Sequence, residues 1–285
     1  MMIGLLLFLM RAANAGDDPW IAPEKTTNFF VAVSGEQFQD FVATQGNTMS
    51  GDHPIRTLGG KVYIRHGLGA DSDLTLDLPF VTTWSSGPSQ SEMYAPTTGI
   101  GLLQAEVRHR WLDAFSTRAV LRTGVLHQDS RGRLTNLSEG TTDVGLGLGT
   151  GGIFPGTRRF YTVDMGATYW LRFPIQSGDD IPADEVSWTS NVLVSPSSSL
   201  GIGATVSGQH RLDGQTLGSV TVSNPDNQWA ALHAQQIKVG GRIMLYSTDS
   251  RPALSLAVLR AVWARNNPID TTLVELGVGW DLRRD

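Results

Sequence analysis

The chain has no cysteine, and its only lysines are Lys25, Lys61 and Lys238. Without thiols there is no disulfide framework and no cysteine-based metal or redox chemistry. Charged residues make up 17% of the 285, and a net charge of −5 is too mild to point to nucleic acid. No stretch reaches the roughly 18 consecutive apolar residues of a membrane-spanning helix. No segment sustains a helical period, and only Trp229–Gln236 suggests a short helical turn. His53, His66, His109, His127, His210 and His233 form no pair at metal-ligand spacing. Neither a metal nor another cofactor is expected.

What the chain does have is alternation. From Arg159 to Phe173, Tyr161, Val163, Met165, Ala167, Tyr169, Leu171 and Phe173 fall on one face. Phe160, Thr162, Asp164, Gly166, Thr168, Trp170 and Arg172 fall on the other. Strand side chains alternate between faces, and soluble strands average only about five or six residues. A long strand with an apolar face and a polar face suits a wall between lipid and water, where a spanning strand needs roughly 9–11 residues. The same pattern recurs in Gly99–Trp111, Phe115–His127, Leu200–Leu212, Ile237–Leu245 and Asp270–Leu282. It is weaker in Asn28–Ala43, Thr57–Leu68, Leu74–Thr82, Asp143–Gly152, Val186–Val194 and Ala253–Ala264.

Short connections (Gly69–Asp73, Leu112–Ala114, Ile153–Arg158, Ser195–Ser199, Thr248–Pro252) alternate with longer ones (Thr44–Arg56, Thr83–Thr98, Gln128–Thr142, Pro174–Glu185, Asp213–Gln235). Only the last loop, near Arg265–Ile269, is brief. Outer-membrane barrels show this asymmetry between periplasmic turns and external loops. The expected fold is therefore all-β: a single closed antiparallel transmembrane β-barrel of about 12 strands in an up-and-down meander, with both termini periplasmic. Closure removes the open sheet edge that lipid cannot satisfy. Residues 1–15 read as a signal peptide, with an apolar core from Ile3 to Met10 and a small-x-small site at Ala13-Asn14-Ala15. Residues 16–27, with Pro19, Trp20 and Pro23, read as a periplasmic segment or plug, and 28–285 as the barrel.

Lys61-Val-Tyr-Ile-Arg-His-Gly-Leu68, followed by Leu74-Thr-Leu-Asp-Leu-Pro79, resembles the start of an outer-membrane family linked to the MetA pathway of phenol degradation, a set of transporter-like barrels. The resemblance implies a Gram-negative outer-membrane location and a passive channel for hydrophobic or aromatic compounds rather than a catalyst. The ending differs from the terminal aromatic usual in barrels, since Trp280 is followed by Asp281-Leu-Arg-Arg-Asp285.

Parity places Lys61, Arg65, Glu106, Arg108, Arg118, Arg122, Asp164, Arg172, Lys238, Arg242 and Glu275 in the lumen, with more bases than acids overall. A tight turn at Leu112–Ala114 puts Glu106 diagonally between Arg118 and Arg122. A tight turn near Ser250 clusters Lys238, Arg242 and Arg260 on one wall, with Glu275 opposite Arg260. These charges either stiffen a narrow barrel as an ion-pair network or select an anionic or polar solute. Trp84, Trp111, Trp188, Trp263 and Trp280 lie near strand ends, as an aromatic girdle would, whereas the parity of Trp170 points inward.

Gly147-Leu-Gly-Thr-Gly-Gly152 matches G-x-G-x-x-G, but no helix or parallel βαβ unit accompanies it, so its inward glycines read as room for bulky neighbours. Asp179, Asp180, Asp184 and Glu185 read as solvated loop acids. Ser130 near His127 is the one pair a lipid-modifying hydrolase would offer. The leading expectation is a non-enzymatic channel, the alternative a closed accessory barrel of an envelope complex, with a hydrolase third. The partners expected are outer-membrane lipid and lipopolysaccharide, the barrel-assembly machinery and other envelope proteins.

Overall fold

Period-two alternation builds the wall. The computed structural model describes residues 21–22, 24–42, 48–85, 96–124, 141–155, 159–174, 183–197, 199–213, 234–245 and 253–283. The strands are β1 (Thr26–Val42), β2 (Thr48–Gly67), β3 (Ser72–Ser85), β4 (Thr97–Ile100), β5 (Leu103–Leu112), β6 (Phe115–Thr123) and β7 (Thr141–Pro155). There follow β8 (Phe160–Pro174), β9 (Glu185–Ser197), β10 (Leu200–Arg211), β11 (Gln235–Leu245), β12 (Ala253–Arg265), β13 (Asn267–Pro268) and β14 (Thr272–Arg283). Both β4 and β5 pair with β3 and form one interrupted stave. The two-residue β13 is an annex on the end of β1. The result is a closed, twelve-strand antiparallel up-and-down barrel.

The ring shuts at β1, which pairs with β2 on one side and β14 on the other. The seam runs from Thr26 opposite Arg283 to Gln37 opposite Thr272. Its strands begin and end at the same rim, the one that also carries the tight turns such as Asp113–Ala114. The apolar parity faces out: Leu146 is 65% exposed, Leu148 55% and Phe173 50%. A soluble surface rarely shows so continuous an apolar area; a transmembrane barrel requires it.

Two strand limits differ from the sequence expectation. β2 starts at Thr48, so much of the loop expected over Thr44–Arg56 is strand. There Asp40–Val42 pair with Thr48–Ser50 beyond a register shift between Phe38 and Asp40. Backbone pairing holds this extension, and its polar residues show no alternation for the sequence to reveal. Gln235 and Gln236, expected at the end of a helical turn, open β11, and 214–233 lie outside the described residues.

The signal peptide and half of the 16–27 segment also lie outside the described residues. Ile21 and Ala22 are buried, and the Ala22 backbone N–H donates to Asp73 Oδ2 at 2.8 Å.

Glycine at 145 is a packing requirement. A Cβ there would meet Thr168 Cγ2 and the Trp170 ring at 2.8 Å, and the indole cannot fold aside as a flexible chain would. Gly147 lies against Arg118 and Thr168 in the same way. Gly145→Val is expected to destabilise the barrel by about 1–3 kcal/mol through overpacking. The measurement is the temperature at which the compact, heat-modifiable gel band converts to the unfolded one in detergent; an unchanged temperature would refute this account.

Candidate functional site

The inward parity collects the charges. At the tight-turn end, β2, β3 and β5 bring Arg65, Asp73, Arg108 and Glu106 together, all at most 2% exposed. Asp73 accepts from Arg65 Nε at 2.6 Å and from Arg108 Nε at 3.2 Å. Arg108 Nε also lies 3.2 Å from Glu106 Oε1. One carboxylate thus holds two guanidinium groups and a main-chain N–H. Such charge-assisted, multidentate bonding is what lets charges survive burial. Two bases and two acids leave this cluster neutral.

A second cluster forms nearer the long-loop end. Asp143 accepts from Arg122 Nε at 2.6 Å and from Arg172 Nε at 3.4 Å. Glu185 lies 3.8 Å from Arg122 NH2, 3.7 Å from Arg172 NH1 and 3.5 Å from Arg211 Nε. It also accepts from Gln209 Nε2 at 2.7 Å. The Arg122 guanidinium stacks 4.1 Å above the Trp170 ring, whose Nε1 donates to Ser187 at 2.8 Å. Here the arginines of three staves, Arg122, Arg172 and Arg211, meet Asp143 and Glu185.

Elsewhere the lumen is strutted. Lys238 on β11 reaches Glu36 on β1 at 2.7 Å, although β12 and β14 lie between them in the ring. Lys61 meets Glu275 across β1 at 3.4 Å. Asn191 donates to Asp164 at 2.7 Å and accepts from Thr205 at 2.7 Å. Arg118 is buried over Gly147, and Arg242 is half-buried on the inward face of β11.

Register explains what was placed and what was not. Glu106 pairs with Val120 on β6, diagonal to Arg118 and Arg122, yet Arg122 bonds to Asp143 and Glu106 bridges to Arg108. Arg260 is a correction. It pairs with Val239 and Thr272 and shares the exposed outer face with Leu254, Leu256 and Val258. A one-residue difference in hairpin register turns every side chain to the other face. Glu275 therefore pairs with Ala257, not Arg260.

Glu185, expected as a loop acid, opens β9 and joins two arginines from neighbouring staves to a third. Extending the Val186–Val194 alternation back by one residue would have found it. Ser130 and His127 lie outside the described residues. Trp111 and Trp280 sit towards the tight-turn end and Trp84, Trp188 and Trp263 towards the long-loop end, whereas Trp170 is buried inside.

Asp143→Asn would leave Arg122 and Arg172 buried with one fewer anion. Removing one partner of a buried ion pair costs about 3–5 kcal/mol. The compact gel band should convert at a lower temperature, and Asp143→Glu should recover part of the loss. Equal stability of Asp143→Asn and the parent would show that the cluster contributes nothing to the fold.

No family model matches the chain, and no curated protein sequence matches it. Solved structures do. An outer membrane channel from Pseudomonas putida F1 has a TM-score of 0.69 at 17% identity, covering 94% of this chain and 100% of that one. The beta domain of the Bordetella autotransporter Brka has 0.51 at 10% identity, covering 91% and 100%. LpxR from Salmonella typhimurium has 0.50 at 11%, covering 88% and 99%. At these identities the likeness is one of fold. The chain is a twelve-strand barrel, and its fold fits that of outer-membrane channels.

Proposed function

We propose that the protein is a passive channel in the outer membrane of a Gram-negative bacterium, with its tight-turn rim and both termini in the periplasm. It would admit small solutes, hydrophobic or aromatic ones included, through a narrow charged lumen. The observation that carries this reading is the contrast between the walls: apolar side chains outside and buried, ion-paired charge inside, around the whole ring. A barrel of this size falls between the filled eight-stranded form and the wide 16–18-stranded porins. The guanidinium groups of Arg122, Arg172 and Arg211 on the lumen wall would favour anions over cations. The barrel-assembly machinery is its expected partner during insertion.

The struts supply a second reading. Lys238–Glu36 and Arg122–Glu185 each link staves three positions apart, as a closed accessory barrel of an envelope complex would need.

Planar bilayers separate the two. A channel gives discrete conductance steps and, under a salt gradient, a reversal potential on the anion side; Arg211→Glu should move it towards cations. No conductance, either in the parent or after deletion of residues 16–22, would reject the channel and leave the accessory barrel.

A further inference from the structure

The outer wall carries a polar row that the channel does not need. From the level of Gln37 and Arg56 to the tight-turn rim, the described outward strand positions carry no Asp, Glu or Lys. Arginine occurs there at Arg56 and Arg260 and, at the opposite rim, at Arg265. Arg56 and Arg260 stand at one level. Trp84 pairs with Arg56, Arg56 with Gln37, Gln37 with Thr272, and Thr272 with Arg260. The row crosses the barrel seam.

Arg56 donates from Nε to Gln37 Oε1 at 3.0 Å, and among the described residues nothing engages its terminal nitrogens or any nitrogen of Arg260. The nearby Asp270 carboxylate is occupied by the Gln39 and Asp40 backbone N–H groups at 3.0–3.1 Å. One step towards the tight-turn rim, the same staves present Leu58, Gly35, Val274 and Val258, and the three large side chains are exposed.

Two guanidinium groups, one held only at its Nε, over an apolar row match a molecule with an anionic head and acyl tails. A guanidinium fork pairs bidentately with phosphate. Arginine on a lipid-facing wall is tolerated near the interface, where its stem lies along apolar surface and its head reaches the headgroups. Trp84 beside Arg56 marks that level independently, because interfacial aromatics sit among headgroups.

We infer that Arg56 and Arg260 hold the phosphate groups of an outer-leaflet glycolipid at the barrel seam, with Leu58, Val258 and Val274 against its acyl chains. The inference rests on the outer-membrane reading with the long loops outside. A free phosphate would use the arginines alone; the apolar row beneath them favours the lipid.

The test is retention of lipid A, phosphorylated or enzymatically dephosphorylated, by the purified full-length barrel in native mass spectrometry. The parent should keep phosphorylated lipid A. Dephosphorylated lipid A, and the Arg56→Gln/Arg260→Gln variant, should each show about tenfold weaker retention. Each single variant should fall between, and heat-modifiable mobility reports whether every variant is folded. Equal retention by the folded double variant, equal retention of the dephosphorylated lipid, or complete displacement by millimolar inorganic phosphate would overturn the inference. A parent found outside the outer-membrane fraction would instead overturn the location, and a non-conducting barrel that keeps the lipid would overturn only the channel.

Discussion

Everything in this molecule depends on the pairing of β1 with β14. Lipid offers no hydrogen bonds, so one unpaired strand edge in the hydrocarbon region would leave a whole row of N–H and C=O groups unsatisfied. The seam from Thr26–Arg283 to Gln37–Thr272 removes that edge. Closure then fixes the rest: with the register set all round the ring, the period-two rule decides for each residue whether it meets lipid or lumen. The contrast between the walls is a consequence of the seam, not a separate device.

Closure also confines charge. Inward side chains from neighbouring staves crowd together, and burial raises the cost of any ion left without a partner. The chain meets this by placing Asp73 and Asp143 each between two arginines from adjacent or nearly adjacent staves. Arginine suits the task better than lysine, since its fork can serve two acceptors while staying planar. Glycine is the complementary device. Gly145 and Gly147 leave space on β7 for Trp170 and Arg118, which come from the strands on either side. The first glycine of the G-x-G-x-x-G pattern, Gly147, is thus explained by packing against Arg118.

The staves were legible because their alternation is long and one face must be apolar. β8 runs over Phe160–Pro174, within one residue of the alternating stretch in the sequence. Register was legible only where a tight turn fixed it. The two-residue connection at Asp113–Ala114 places Gln104 opposite Arg122 and Arg108 opposite Arg118. Between β11 and β12 the connection is longer, and the ladder shifts between Ile237 and Lys238. Arg260 lies on the turn side of that shift, and its face follows from a hairpin register one residue away from the one a tight turn near Ser250 would give. Partner choice was the least legible. Glu106 stands diagonal to Arg118 and Arg122 as the turn predicts, but Arg122 bonds to Asp143 on the next stave, and Glu106 also bridges to Arg108 on its own strand.

The strongest tension in the structure lies between rigidity and passage. Each ion pair that ties two staves also cancels charge a solute would otherwise meet. The Arg65–Asp73–Arg108–Glu106 cluster cancels fully and so works as a fastening that is electrically silent at a distance. The Arg122–Asp143–Arg172–Glu185–Arg211 cluster gathers guanidinium groups from three staves at one level. Its charged groups sit in a low-dielectric wall, where screening is weaker than in bulk water. A lumen built this way is fastened at both ends, and its charged groups are gathered at two levels rather than spread along the wall.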